Sequence, residues 1–212
     1  MTSDHSAKPS GASRPGAVRE LSEEQPLIDR EKIRAAVASI IDAIGEDPTR
    51  EGLVETPARV AEMYVEFFSG LDQDPVEVLA TGFEEAHEEM VVLKDIPFFS
   101  MCEHHLLPFY GSASIGYVPN GRLVGISKLA RALDILARRP QIQERLTRQL
   151  AESIFSAIHP DGLAVILSAD HMCMSMRGAK KPGAKVVTSV SRGSIRTQEA
   201  VRREFYALLG ED

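Results

Sequence analysis

Three strand patterns that follow one another between residues 90 and 126 constrain the fold of this chain most strongly. They are "MVVLKDI" (90–96), "FYGSASIGYV" (109–118) and "GRLVGI" (121–126). Their β-branched and alternating residues are typical of short strands, and Pro119, Asn120 and Gly121 are predicted to make a turn between the last two. Two further strand patterns follow at 162–170 and 184–190. The chain is therefore predicted to build an antiparallel sheet.

Amphipathic helical patterns lie before and after these strands. They run from Asp29 to Gly45, from an N-cap at Thr56 to Gly70, from a cap at Ser127 to Pro140, over 141–158, and from Thr197 to Leu209. Because helices and strands are grouped and do not strictly alternate, the sequence predicts an α+β fold and disfavours a doubly wound parallel sheet. A hydrophobic fraction of 43% is ample for a core.

The first 26 residues are rich in Ser, Pro, Gly and charge, and they are predicted to form a disordered leader. No apolar run approaches the roughly 18 residues that a membrane span needs. The N-terminus also lacks the apolar stretch of a signal peptide. We therefore expect a cytoplasmic protein in a reducing compartment, with no membrane partner.

The charge is unevenly distributed along the chain. The net charge of −7 argues against nucleic-acid binding. Residues 20–90 carry 19 acids and five bases, whereas 121–150 carry seven bases and two acids, and 171–203 carry eight bases and one acid. These basic stretches form either an ordinary solvated face or a local positive site for a small polyanion.

The stretch "MCEHHLLPF" (101–109) has the composition of a metal site. Cys102 and His105 are separated by two residues, a spacing that lets both side chains reach one ion. Cys173, in "HMCMSMRG", follows another strand end, and the chain has two cysteines in all, so a disulfide framework is not expected. If the two strand ends meet, Cys102, His105 and Cys173 form a set of three protein ligands. Three protein ligands with an open fourth coordination position are the pattern of a catalytic zinc site. His104 or His171 could instead close a structural site, and an absence of metal stays open.

The two remaining histidines of these motifs suit proton transfer. A zinc-activated water becomes a nucleophile near neutral pH. His104 and His171 would flank it, and histidine titrates in the same range.

The stretch "RRPQIQERL" (138–146) has two interpretations. Gln143 and Glu144 lie near a helix start. In the first interpretation this is a surface helix with ordinary ion pairs. In the second, the carboxylate accepts hydrogen bonds from the N–H edge of a planar base such as guanine. Lys128, Arg131 and Arg177 could gather phosphates, although each alone is ordinarily a solubilising charge.

Five motifs in order from about residue 28 to the C-terminus resemble GTP cyclohydrolase I of the zinc-dependent type. They are "TPARVAEMYVEFFSG", "CEHHLLPFYG", "GISKLAR", "RRPQIQERLT" and "HMCMSMRG". The resemblance implies the tunnelling fold, an antiparallel sheet with helices on one face, with an N-terminal helical region (27–88) before the catalytic domain (89–212). It also implies that subunit sheets form a β-barrel in a toroidal homo-oligomer, a decamer, with active sites at subunit interfaces.

The resemblance further implies that GTP is opened at C8, formate is released, the ribose rearranges and the ring closes to 7,8-dihydroneopterin triphosphate, the first step of folate and pterin synthesis. It assigns zinc to Cys102, His105 and Cys173; catalysis to His104, His171 and Ser127; guanine to Glu144 and Gln143; and the triphosphate to Lys128, Arg131, Arg177 and a neighbour's Arg59. Some relatives carry lysine where this chain has Glu62, which predicts a weaker or differently built phosphate site. The alternatives are another tunnelling-fold enzyme, such as a pterin synthase or a deazaguanine reductase, and a non-catalytic zinc-stabilised oligomer.

Overall fold

The computed structural model describes residues 28–210, so the leader predicted over residues 1–26 lies outside the described residues. The elements are α1 (Arg30–Ala43), α2 (Thr56–Phe67), α3 (Pro75–Leu79), β1 (Gly82–Glu84), β2 (Val91–Cys102), β3 (Pro108–Val118), β4 (Arg122–Val124), α4 (Ile126–Ala137), β5 (Pro140–Gln141), α5 (Gln143–Ile158), β6 (Gly162–His171), α6 (Met172–Ser175), β7 (Lys185–Arg192), α7 (Gly193–Thr197) and α8 (Glu199–Leu209).

A five-stranded sheet in the order β5-β2-β3-β6-β7 forms the centre of the molecule. All neighbours are antiparallel except β5, which lies parallel to the end of β2. Strands β1 and β4 form a separate antiparallel pair. The α+β class with a largely antiparallel sheet is therefore confirmed.

Helices cover both faces of this sheet. Leu163, Val165 and Leu167 of β6 belong to the main core, which also contains the buried faces of α4 and α5. The alternate residue Ala164 packs instead with Ile195 of α7 and Phe205 of α8. Because successive side chains of a strand point to opposite faces, α4 and α5 cover one face as expected, and α8 covers part of the other.

Strand β2 is longer than the predicted 90–96 and continues to Cys102. Pro97 lies within it and pairs with Ser112 of β3. On its other side, β2 pairs with β5 only at Met101 and Cys102. Proline is tolerated where a strand has a free edge, because no ladder donor is needed there. The longer strand carries Cys102 to the edge of the sheet.

Three predicted helix boundaries were wrong. Glu55, not Thr56, is the N-cap of α2, and Thr56 is its first residue. The N-cap of α4 is Gly125, whose carbonyl accepts from Lys128 N at 2.8 Å, so Ser127 lies inside the first turn and caps nothing. The predicted helix 197–209 is preceded by α7 and separated from it by Gln198, whose backbone is extended (φ −112°, ψ 118°).

The segment after α2 is held against the C-terminal end of α4. Gly70 N donates to Arg138 O at 3.1 Å, and the Arg139 guanidinium donates to Gly70 O at 2.8 Å. A Cβ at Gly70 would lie 2.0 Å from Ile135 O, so only glycine allows this approach. These contacts join the α1–α2 pair to the helix that packs on the sheet.

Candidate metal centre

A tight turn between β2 and β3 carries Cys102 and His105. Cys102 N donates to Leu107 O at 2.9 Å, and Leu106 N donates to Cys102 O at 2.8 Å. Leu106 adopts a left-handed conformation (φ 50°), which a non-glycine residue rarely does. The Cys102 side chain is buried at the end of β2, and His105 is exposed in the turn. The turn therefore directs one thiol and one imidazole toward the same edge of the sheet.

Cys173 reaches this edge from β6. His171, the last residue of β6, pairs with Phe109 of β3, and the chain then enters the short helix α6 with Cys173 in it. The sulfur atoms of Cys102 and Cys173 and a ring nitrogen of His105 all lie within 4.8 Å of one another. The structure therefore brings together the three predicted metal ligands, although β2 and β6 are separated by β3.

The chemistry of this donor set fits a divalent metal of intermediate softness. Burial, together with the neighbouring Cys102 sulfur, raises the pKa of the Cys173 thiol. The Cys173 thiol therefore resists ionising in the absence of a cation. A metal ion between the two sulfur atoms stabilises both thiolates, and cysteine and histidine are ligands of such metals.

An ion pair stabilises the turn that carries Cys102 and His105, called the ligand turn below. Arg145 of α5 donates to both carboxylate oxygens of Glu103, with Nη1–Oε2 at 2.5 Å and Nη2–Oε1 at 3.0 Å. This Arg145 hydrogen bond holds the pKa of Glu103 below its usual value. Glu103 N also donates to Gln141 O at 2.9 Å. The residue between Cys102 and His104 is thus fixed by both its backbone and its side chain.

Two further predicted site residues lie beside the cluster. The Nδ1 atom of His104 is 3.8 Å from Cys102 Sγ, and His104 is exposed. Arg177, which follows α6, has Nη1 at 2.8 Å from His105 Nε2. A base and a cation therefore stand at the open side of the candidate metal centre.

His171 is held by two groups. Its ring stacks on Phe109 with centroids 4.7 Å apart and planes 4° from parallel. Its Nε2 lies 2.7 Å from Oε1 of Gln143, whose side chain is buried. Burial lowers the pKa of His171, while the charges of Glu144 and Asp170 oppose this shift. Glu144 is exposed at the start of α5, directly after Gln143 in the chain.

Other predicted residues lie away from the cluster. Ser127 is ten positions before Ala137 in α4, which corresponds to roughly 15 Å along a helix. It is the Ala137 end that touches β2, where Ser100 Oγ donates to Ala137 O at 2.8 Å. Lys128 follows Ser127, and Arg131 lies one turn further along. Arg59 is exposed on α2 in a groove that Arg30 and Arg34 of α1 also line.

Sequence reasoning missed Glu103, Arg145 and Phe109 as supports of the site. Glu103 stands inside the histidine-rich motif and Arg145 inside "RRPQIQERL", so both residues belong to motifs that the sequence had indicated as functional. Their pairing joins positions 42 residues apart. A sequence without the sheet register offers no signal for such a contact.

The fold and the site define a class of protein: an α+β protein whose largely antiparallel sheet carries, at one edge, a Cys-His-Cys group that could hold a metal ion. The family model described as GTP cyclohydrolase I matches residues 33–210. The chain belongs to the GTP cyclohydrolase I family of enzymes.

Curated relatives match at high identity over nearly their whole length. A protein named GTP cyclohydrolase 1 from Dehalococcoides mccartyi (strain CBDB1) is 58% identical over 185 residues, which cover 86% of this chain and 98% of the relative. One of the same name from Carboxydothermus hydrogenoformans is 57% identical, with 87% and 96% covered. One from Streptococcus agalactiae is 53% identical, with 85% and 97% covered.

A solved structure of the archaeosine synthase QueF-Like in the apo form matches with a TM-score of 0.42 and 21% identity, over 51% of this chain and 97% of that chain. Within residues 28–210, no helix has the length and apolar character needed to cross a membrane.

Proposed function

We propose that this chain opens the imidazole ring of GTP at C8, releases formate, rearranges the ribose and closes the ring to 7,8-dihydroneopterin triphosphate. The observation that carries the proposal is the cluster of Cys102, His105 and Cys173 within 4.8 Å. It occurs in a chain that is 58% identical to proteins named GTP cyclohydrolase 1. The reaction is the first step of folate and pterin synthesis.

Zinc is the proposed metal. Two thiolates and one imidazole are preferred zinc ligands, and three protein ligands leave the fourth position that catalytic sites use. When bound, zinc would act as a Lewis acid that lowers the pKa of a bound water and so makes it a nucleophile near neutral pH. The chain's part is to hold the three ligands, through the Cys102–Leu107 turn bonds and the Glu103–Arg145 pair.

His171 and His104 are the proposed proton carriers. The lowered pKa of His171, caused by burial, keeps its ring neutral at pH 7 and able to accept a proton. Glu144 is the proposed guanine reader, and the support is that its charge opposes the lowering of the His171 pKa by burial. Base recognition and proton transfer would thus occur side by side.

Arg177, at 2.8 Å from His105, is the proposed phosphate contact from the same chain. Ser127, Lys128 and Arg131 are proposed to act on a substrate bound to another copy. The support is the roughly 15 Å of helix α4 that separates Ser127 from the edge of the sheet near Cys102. A homo-oligomer with shared sites, a decamer whose sheets form a β-barrel, brings both groups to one substrate.

Arg59 is the proposed triphosphate contact from the α1–α2 pair of a neighbouring copy. Glu62, which stands on the same helix, pairs with Arg30 at 3.0 Å. This pairing offsets the negative charge of Glu62 next to a bound phosphate. We therefore propose that Arg59 contacts the triphosphate without the lysine that some relatives carry at this position.

The test is to incubate the zinc-loaded protein with GTP and measure formate and the fluorescence of the oxidised pterin. Cys173→Ser is the variant, and Met174→Leu, which alters the adjacent residue of α6, is the matched control. Formate and pterin from the wild type and control, both lost in an assembled Cys173→Ser protein, support the proposal. Formate without pterin limits the activity to ring opening. Neither product from a folded, zinc-replete wild type refutes the proposal and favours a structural metal site.

A further inference from the structure

We propose that Gln143 is a positioning residue that fixes neutral His171 as the tautomer with its proton on Nε2, so that Nδ1 is the nitrogen that exchanges protons with the substrate. The role of Nδ1 in catalysis depends on the proposed function. The tautomer itself depends only on contacts within the described chain, and it can be tested independently of any activity.

The orientation of the Gln143 amide is set by its main-chain neighbours. One end of the amide lies 3.1 Å from Leu167 O and 2.9 Å from Val186 O. Carbonyl oxygens only accept hydrogen bonds, so this end must be the NH₂ group. The other end, Oε1, is then an acceptor and nothing else. Rotating the amide by half a turn would set an oxygen against two carbonyl oxygens in a buried position, which is strongly unfavourable.

Two threonines reinforce the same orientation. The Gln143 NH₂ group also lies 3.2 Å from Thr188 Oγ1. Thr147 Oγ1 donates to Gln143 O at 2.7 Å and lies 2.6 Å from Thr188 Oγ1. Because the Thr147 proton is committed to that carbonyl, Thr188 must donate to Thr147, and its oxygen is then free to accept from Gln143. The two protons of the Gln143 NH₂ group thus face three acceptors, Leu167 O, Val186 O and Thr188 Oγ1, and are shared among them.

The direction of the hydrogen bond to His171 follows. His171 Nε2 lies 2.7 Å from Oε1 of Gln143, an oxygen that can only accept, so Nε2 carries the proton. The flat stacking of the His171 ring on Phe109, with 4.7 Å between centroids, opposes a half-turn of the ring that would replace Nε2 by a carbon at the Gln143 contact. A neutral His171 therefore has one free lone pair, on Nδ1, and accepts a proton there. The Nε2 proton stays on the ring, in its hydrogen bond to Gln143 Oε1.

The test uses the zinc-loaded protein with ¹⁵N-labelled histidine, studied by magic-angle-spinning NMR, in which protonated and unprotonated ring nitrogens have well-separated shifts. The His171 signals are assigned from their loss in His171→Gln. We expect a protonated Nε2 and an unprotonated Nδ1 in the wild type at a pH where the ring is neutral. The reverse pattern, or a mixture of both tautomers in the wild type, overturns the proposal.

Three variants separate positioning from packing. Gln143→Met keeps the volume but removes the acceptor, so we expect mixed tautomers. Gln143→Glu keeps an oxygen that accepts from Nε2. Its second oxygen can carry a proton and donate it to one of the two main-chain carbonyls, so we expect the wild-type tautomer to return. Thr188→Val removes one partner of the Gln143 amide but neither carbonyl, so the tautomer is expected to stay unchanged.

Turnover supplies the second readout. For Gln143→Met we expect kcat to fall about 10- to 100-fold with little change in KM, because positioned acid–base groups contribute roughly 10²- to 10⁴-fold to rates. Partial recovery in Gln143→Glu supports positioning. Mixed tautomers in Gln143→Met with unchanged kcat refute the catalytic role of Nδ1. A wild type with the expected tautomer but no activity on GTP refutes the proposed function and leaves the assignment of the tautomer intact.

Discussion

Arg145→Met is expected to weaken zinc binding although Arg145 contacts no ligand directly. The substitution keeps the aliphatic stem of the side chain and removes both hydrogen bonds to Glu103, which measure 2.5 and 3.0 Å. Glu103 lies between Cys102 and His104 in the ligand turn. Without Arg145, the side-chain anchor of this turn is lost, and the positions of Cys102 and His105 become less well defined.

The magnitude follows from where the pair lies. The side chains of Arg145 and Glu103 remain 33% and 31% exposed, so solvent screens their attraction and the pair contributes little to overall stability. Partners that orient metal ligands commonly change metal affinity about 10- to 100-fold. For a pair that is about one-third exposed we expect the lower end, a rise in the zinc Kd of about 10-fold. The thermal midpoint of the metal-free protein should change little.

The assay is a zinc titration in competition with a chromophoric chelator at pH 7, with Arg148→Met as the matched control. Arg148 stands on the same helix and is exposed, and its replacement removes the same charge. A zinc Kd for Arg145→Met within about twofold of the wild type, or an equal loss in Arg148→Met, would show that the pair does not organise the turn.

Three further outcomes are expected. Leu150→Ala removes a fully buried side chain of α5 and should lower the free energy of unfolding by about 2–5 kcal/mol in denaturant titrations; a loss well below this range would mean that the core is not packed as described. Gly116→Ala would set a Cβ 2.5 Å from the Phe205 ring, so α8 should shift at a cost of about 1–3 kcal/mol, and an unchanged thermal midpoint would contradict this contact. The lowered pKa of His171 means that the folded state resists protonation, so stability is fully present above pH 6.5 and declines as the pH falls through the folded pKa. His171→Gln should flatten this decline in the metal-free protein, and an identical pH profile for both proteins would count against burial of the ring.

The local pattern of the sequence was sufficient for most elements of the fold. Seven elements agree with the predicted segments to within a few residues: α1, α2, α4, α5, β3, β6 and β7. Each buries one face, and the spacing of its apolar residues along the sequence shows which residues form that face. The segments that escaped prediction are short or tied to a partner. Strand β5 is two residues long and pairs only with the end of β2, and α3 is a five-residue turn.

The three candidate metal ligands could also be picked out from the sequence, because cysteine and histidine are rare and two of the three stand in one turn. What the sequence did not determine is how these groups are supported. The bonds from Gln143 to His171 and to Val186 span 28 and 43 positions, and the Arg145–Glu103 pair spans 42.

The separation of Ser127 from Cys102 likewise depends on the course of α4 over the sheet. Residue types and local spacing specify which chemistry a chain can perform. The register of the sheet, which arises from packing between distant segments, decides which of those groups meet.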